Sequence, residues 1–293
     1  MSKALPILDE NNLLSQAVDE AEARAKLDRL RRDLNHRVAD GVLVAFSGGV
    51  DSAFLLWATC RAEGEGAGRV LALTTTSASM PSRDHQDAGS FAAMVSAEHV
   101  VAESHEMSHP DYVVNDPERC YHCKAELFRI CGEMASARGL RWILYGYNAS
   151  DHDDDRPGQR AAVEAGVVTP LSDAGLTKPE IRFLMREAGL PLWEKPASPC
   201  LSSRIMTGIE ITPERLRHVE DLESILRKAG ATTLRVRICR TDDGAWFLRI
   251  EVAPGEMAVV LDCREALESA GRKRGYRWVT LDLGGYRTGG GTS

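Results

Sequence analysis

Apolar positions along the chain change their spacing repeatedly, and the changes sort it into alternating helices and strands. From Asn12 to Arg37, residues Leu13, Leu14, Ala17, Ala21, Leu27, Leu30 and Leu34 recur mostly at three- and four-residue intervals, with Arg24 interrupting the row. That is the period of a helix with one buried face. Gly41–Phe46 is a short apolar run closed by Ser47, Gly48 and Gly49, and Ser52–Arg61 returns to helical spacing, so this stretch reads as strand, tight turn and helix. Further strands are predicted at Val70–Thr74, Ala97–Ala102 and Trp142–Tyr145, with helices at Asp84–Val95 and Ala125–Ala137 between them. A helix over Lys178–Ala188 follows Thr177 as N-cap, with Pro179 in its first turn. The alternation predicts an α/β fold with a doubly wound, mostly parallel sheet.

Lys195-Pro-Ala-Ser-Pro199 interrupts this pattern and marks a boundary. Beyond it come a helix at Pro213–Ala229, strands at Leu234–Arg240 and Trp246–Val252, a helix at Met257–Ala270 and a strand at Trp278–Leu283, the order of a small α+β domain. The expected division is residues 1–200 and 201–293, with a mobile tail at Thr288–Ser293. A chain of 293 residues is long enough for two such cores. With 43% hydrophobic and 27% charged residues, its composition is that of a folded protein.

Charge and leader signals narrow the function classes. A formal charge of −7 gives no global attraction for nucleic acid and disfavours a polynucleotide substrate. The N-terminus lacks the features of a secretory signal, and no apolar stretch approaches the roughly 20 residues that span a bilayer, so a cytoplasmic protein without membrane attachment is expected. Seven cysteines, an odd number, point to reduced thiols, metal ligands or catalysis rather than a disulfide framework.

The strongest chemical signal is Ser47-Gly-Gly-Val-Asp-Ser52, between the first strand and its helix. Gly48 and Gly49 let the backbone approach a phosphate chain, helix amides supply positive partial charge, and the Ser47 and Ser52 hydroxyls add donors. Asp51 beside a polyphosphate makes sense with Mg2+ between them. On turn chemistry alone, a Gly-Gly strand-to-helix turn is more often structural. The full string, however, resembles the loop of the N-type ATP pyrophosphatases, among them GMP synthetase, NAD synthetase, argininosuccinate synthetase and tRNA thiolation enzymes. No Walker loop is present. The resemblance implies cleavage of ATP between its α- and β-phosphates and transfer of AMP to a substrate oxygen. Thr74, at the end of the second strand, and Gly146, after the Tyr145 strand, stand at the sheet edge where such folds bind ligands and are candidate adenosine contacts.

Downstream motifs are more specific. Arg119-Cys-Tyr-His-Cys-Lys124, Asp153-Asp-Asp-Arg-Pro-Gly158, Ala197-Ser-Pro-Cys-Leu-Ser-Ser-Arg204, Arg235-Val-Arg237 and Thr280-Leu-Asp-Leu-Gly-Gly-Tyr-Arg287 together resemble the LarE family. Their order matches the family from about residue 12 to residue 288. The resemblance implies an ATP-dependent sulfur transferase that adenylates the carboxylates of pyridinium-3,5-biscarboxylic acid mononucleotide and converts them to thiocarboxylates. The product leads to the nickel-pincer cofactor of lactate racemase and related enzymes. It also implies a homo-oligomer.

In one form of the family a single cysteine ahead of Ser-Ser-Arg surrenders its own sulfur. Cys200 is the only cysteine in that stretch, one position closer to Arg204 than in that form. Cys120 and Cys123 are additional, and with Cys200 they resemble the variants whose three cysteines hold a [4Fe-4S] cluster. Read alone, C-x-x-C is also a redox pair or half of a zinc site. Cys60, Cys131, Cys239 and Cys263 fall in apolar patterns and are expected to pack. Arg235 and Arg237 alternate on one strand and share a face, where they could clamp a mononucleotide phosphate or form a solvated basic edge. Arg204 could neutralise a substrate carboxylate or the acyl phosphate. The acidic run at Asp151, Asp153, Asp154 and Asp155 reads as a solvated loop. A tRNA thiolase, which would need a strong local basic surface, and a non-enzymatic adenine-nucleotide sensor, which would leave the cysteines unexplained, are the competing readings.

Overall fold

The computed structural model describes residues 18–62, 69–151 and 157–287. The first part of the predicted N-terminal helix, Asp153–Arg156 and the Thr288–Ser293 tail lie outside these residues. The described chain forms two compact units, one of residues 18–106 and 120–198, the other of 107–119 and 199–287.

The first unit opens with α1 (Glu20–Val38), capped by Asp19, whose carboxylate accepts from the amides of Ala21 and Glu22. Strand β1 (Val42–Ala45) is buried at every position, because both faces of its sheet are covered. Helix α2 (Val50–Cys60), strand β2 (Val70–Thr76), helix α3 (Ser82–Met94) and strand β3 (Glu98–Glu103) follow, then α4 (Arg119–Arg138), whose first residue counts with the other unit, and β4 (Trp142–Tyr145). Helices α5 (Pro157–Glu164) and α6 (Lys178–Glu187) close the unit. A capping box between Thr177 and Glu180 starts α6.

Among the described residues this unit has one four-stranded sheet, ordered β3-β2-β1-β4 and parallel throughout. Val42, Val44, Val70, Ala72 and Leu144 pack beneath α1, α2, α3 and α6. The alternate residues Leu43, Ala45, Leu71 and Leu73 meet Ile130, Cys131 and Ala135 of α4 on the opposite face. The chain therefore winds outward from β1 to β3 under one layer of helices, then returns through α4 to place β4 on the other side of β1. The doubly wound α/β expectation holds. Reversal of strand order at β1 creates a switch point between the C-terminal ends of β1 and β4, the place where open α/β sheets take ligands.

In the second unit, α7 (Pro213–Lys228) packs on a three-stranded mixed sheet. Strands β5 (Leu234–Arg240) and β6 (Trp246–Val252) are antiparallel, and β7 (Trp278–Leu281) runs parallel to β6. The single helix expected at Met257–Ala270 is two, α8 (Met257–Asp262) and α9 (Arg264–Lys273), broken at Cys263, whose thiol donates to the Val259 carbonyl at 3.1 Å. Residues 107–119 join this unit through Asn115, buried with φ of 59°, whose side-chain amide donates to the carbonyls of Ile205, Met206 and Ile209.

At the switch point β4 ends on Gly146, where an added Cβ would lie 2.9 Å from the Ser52 amide nitrogen and 3.0 Å from its Cα. Backbone cannot yield as a flexible side chain can. Gly146→Ala is expected to lower the unfolding free energy by about 1–3 kcal/mol, the usual cost of overpacking, and a urea titration measures it.

Candidate active site

Ser47–Ser52 joins β1 to α2 at the switch point, with its backbone held by packing on one side and hydroxyls on the other. Gly48 has φ of 72°, and an added Cβ would stand 3.0 Å from that of Ala88 in α3. Only glycine combines that conformation with that contact. Ser52 Oγ donates to the Gly49 carbonyl at 3.1 Å and lies 3.1 Å from Ser47 Oγ. Gly49 caps α2 with no side-chain hydrogen bond, so among the described residues no capping side chain occupies the first-turn amides. The arrangement is that of an anion site.

Asp51 stands in this loop with one carboxylate oxygen ion-paired to Lys178 Nζ, at the start of α6. Its other oxygen, Oδ1, is buried and has no hydrogen-bond partner among the described residues. Burial raises the Asp51 pKa above the ordinary carboxylate value, against the opposing pull of Lys178. Thr74, expected to face adenosine, instead donates its hydroxyl inward to the Phe46 carbonyl at 2.7 Å and lies 2.8 Å from His99 Nε2. Thr75 and Thr76 beyond it are the half-buried positions at that strand end.

The cysteines separate into two sets. Burial pushes the Cys60 thiol up to about 11 and the Cys131 thiol up to about 12, and it also raises Cys239 and Cys263. These are poor nucleophiles at neutral pH. Cys120 is exposed and Cys123 half-buried in the first turn of α4, three residues apart and hence on one helix face. Lys124, the next residue, carries its ammonium 4.8 Å from the centre of the Tyr145 ring at the end of β4. Cys200, in the other unit, is half-buried at the mouth of a 3-10 turn, Leu201–Arg204. None of the seven cysteines forms a disulfide. Among the described residues, no three His, Cys, Asp or Glu side chains converge as a metal site.

The predicted arginines occupy the second unit, but their charges are buried. Arg204 pairs with Glu223 of α7 at 2.9 Å, and its Nη1 donates to the carbonyls of Pro199 and Cys200. It therefore shapes the turn that carries Cys200. Arg235 and Arg237 do share a face of β5, yet β5 is not a solvated edge: both are buried. Arg235 Nη2 donates to the Tyr286 hydroxyl at 2.8 Å, and Arg237 pairs with Glu251 at 2.6 Å and donates to the Ser203 carbonyl at 2.9 Å. Arg235 Nε, Arg237 Nη2 and Glu251 Oε2 are buried without partners among the described residues. Such orphaned atoms mark a place where a polar ligand or water would be satisfied.

No family model matches the chain. It is 36% identical over 267 residues to an uncharacterized protein of Synechocystis, a match spanning 90% of this chain and 96% of the relative. It is 31% identical over 249 residues to the pyridinium-3,5-bisthiocarboxylic acid mononucleotide synthase of Lactiplantibacillus plantarum, spanning 85% of this chain and 87% of that synthase. The chain belongs to the LarE family.

For this LarE family member, sequence reading passed over the groups that hold the named residues. Lys178, Glu223 and Glu251 are each ordinary in their local context, Tyr286 stands in the Thr280–Arg287 motif without an assigned role, and only the fold brings them to Asp51, Arg204, Arg237 and Arg235. Asp151, from the acidic run, accepts from the Asn148 side-chain amide at 2.8 Å. The Arg204–Glu223 pair offers a direct check. Arg204→Met is expected to cost about 1–3 kcal/mol of unfolding free energy, because the buried Glu223 carboxylate loses one guanidinium partner and keeps Arg227 and the Val236 amide, and adding Glu223→Gln should return part of that loss. Denaturant unfolding of both variants measures the difference.

Proposed function

We propose that the chain is an ATP-dependent sulfur transferase that adenylates the carboxylates of a pyridinium mononucleotide and converts them to thiocarboxylates. The observation that carries the reading is the glycine-built anion loop at the switch point, with the orphaned buried oxygen of Asp51 inside it. Similarity to a relative named as a pyridinium-3,5-bisthiocarboxylic acid mononucleotide synthase supports the substrate class. The parallel-sheet unit, anticipated as residues 1–200, takes ATP, and the smaller unit, anticipated as 201–293, takes the mononucleotide and contributes to a homo-oligomer.

Mg2+ fits the loop, since it is commonly bound by one or two carboxylates together with phosphate oxygens. Asp51 would hold it, and the ion would neutralise phosphate charge. Ser47, Gly48, Gly49 and Ser52 bind the phosphates through amides and hydroxyls, while Lys178 adds a cation that can exchange its carboxylate partner for phosphate. Gly146 keeps the β4 end close enough to wall the site. The substrate carboxylate attacks the α-phosphorus and pyrophosphate leaves. Arg235 and Arg237 hold the mononucleotide phosphate, and Arg204 orients the Cys200 turn.

Cys120, Cys123 and Cys200 suit an iron-sulfur cluster in donor type, and the pair in α4 is correctly spaced. The chain flanking the two motifs is tied together inside the second unit, where Arg119 donates to the Ser202 carbonyl at 3.1 Å and to Asn115 Oδ1 at 2.6 Å. When bound, a [4Fe-4S] cluster would supply the sulfur to be transferred.

Asp51→Asn is expected to abolish pyrophosphate release with no loss of thermal stability. The Asp51 pKa is raised on folding, so ionising it at neutral pH opposes folding, and the amide removes that cost. Near-normal pyrophosphate release by a folded variant sinks the assignment. For sulfur, Cys120→Ala, Cys123→Ala and Cys200→Ala should each lower the iron content of anaerobically purified protein and end multiple turnovers. If only Cys200→Ala is inactive, and reacted wild-type chain is lighter by the elements of hydrogen sulfide, Cys200 is the sacrificial donor instead. Arg235→Ala and Arg237→Ala should weaken mononucleotide binding by about 1.5–3 kcal/mol each while leaving ATP binding nearly unchanged, as calorimetry would show.

A further inference from the structure

The strap that leads from α6 to Cys200 carries a lysine with a buried ammonium. Lys195 Nζ lies 3.0 Å from Asp84 Oδ1 and 2.7 Å from Asp87 Oδ2, both in α3, and donates to the Gly48 carbonyl at 3.1 Å. Three acceptors match the three N–H bonds of an ammonium. The Ser198 hydroxyl donates to the second Asp84 oxygen, which fixes the strap to α3 again three residues later. Its backbone is tied to α6, because Arg182 donates to the carbonyls of Trp193 and, at 2.7 Å, Lys195. Neutralising two aspartates accounts for the two ion pairs. It does not call for the bond to Gly48.

That third bond sets the direction of the peptide between Gly48 and Gly49. In a planar trans peptide the C=O and N–H point in opposite directions. With the carbonyl drawn to Lys195, the Gly49 N–H faces the Ser47 hydroxyl, 3.4 Å away, on the side where the loop gathers its donors. Two successive glycines offer little steric resistance to a rotated peptide. Rotation would turn a carbonyl oxygen, in place of an amide, toward any bound phosphate.

We propose that Lys195 is a positioning residue for the nucleotide: by holding the Gly48 carbonyl it keeps the Gly49 amide aimed into the anion loop, which makes a competent phosphate site conditional on a seated strap. The inference rests on reading the loop as an ATP site. Binding couplings are reciprocal, so ATP in turn favours the seated strap, of which Cys200 is the continuation.

Calorimetric titration of the full chain with ATP tests this in wild type, in Lys195→Met, and in Lys195→Met combined with Asp84→Asn and Asp87→Asn. Lys195→Met alone should melt at a lower temperature, since the buried Asp84 and the half-buried Asp87 carboxylates lose the Lys195 ammonium. The triple variant should recover melting temperature yet still bind ATP about tenfold or more weakly. A folded triple variant with wild-type ATP affinity overturns the proposal and leaves the ATP reading intact. Wild-type chain that binds no ATP overturns both. Hydrogen exchange on wild type needs no variant: ATP should slow exchange of the amides in residues 193–198 together with those of the loop, and protection of the loop alone also overturns the proposal.

Discussion

Backbone amides hold a phosphate chain only where the loop that bears them can come close and cannot relax into another shape. Two close approaches shape the Ser47–Ser52 loop. Gly48 turns through the left-handed region against Ala88 in α3, and Gly146 lets the end of β4 touch the backbone of Asp51 and Ser52. Both follow from the strand order, since β4 can reach the loop after β1 only because it pairs with β1 directly, Ala45 opposite Tyr145. The sheet topology thus determines where the loop falls, and the glycines determine how closely its neighbours approach it. Asp51 is buried there at an energetic cost that its ion pair with Lys178 only partly offsets, as its raised pKa indicates. A carboxylate kept in such a place is better explained by function than by stability.

The second unit concentrates buried charge on one side of its sheet. Arg235 and Arg237 on β5 meet Arg249 and Glu251 on β6, with Arg249 Nη2 3.0 Å from the Glu251 oxygen that Arg237 also contacts. Three guanidinium groups face two carboxylates, Glu251 and, 3.8 Å from Arg249 Nε, Asp282, which leaves the group net positive, and burial works against the charge of Arg235. An apolar replacement of similar volume would be easier to fold. An excess of buried positive charge with orphaned nitrogens is instead suited to an anionic ligand that arrives with its own acceptors. Tyr286 completes the face, with its ring 4.5 Å from the Arg235 guanidinium carbon.

Much of the fold was legible because the first unit repeats one rule. Apolar runs such as Val42–Ala45 and Val70–Leu73 are buried on both sides, so they read as parallel strands, and Thr177 and Pro179 announce α6 by capping chemistry alone. The early start of α4 was hidden by polar residues from Arg119 to Lys124, where apolar periodicity does not yet operate. Membership of 107–119 in the second unit was equally hidden, because it depends on Asn115 bonding to carbonyls about 90 residues away. Site residues were legible where a loop forms them locally, as at Ser47–Ser52. Where a role depends on a partner from another element, sequence showed the residue without its state: Arg204 and Arg237 look like available cations and are buried ion pairs. Thr74 shows the same limit, since its place at a strand end says nothing about which way the hydroxyl turns.

The cysteines show how such a distinction can still be made from physical state. Burial raises the thiol pKa of Cys60, Cys131, Cys239 and Cys263, and Cys131 and Cys239 are buried outright as packing groups. The segments that carry Cys120, Cys123 and Cys200 are each held by local backbone structure. Cys120 and Cys123 are held by the first turn of α4, and Cys200 by a turn whose carbonyls Arg204 and the Ser203 hydroxyl engage. The residue before Cys120 is hydrogen-bonded to Ser202, two positions after Cys200, through a contact internal to the second unit. A carbonyl that accepts from a side chain 83 residues away is held by the fold and not by its local turn alone, so the chain beside Cys200 keeps its shape only in the folded unit.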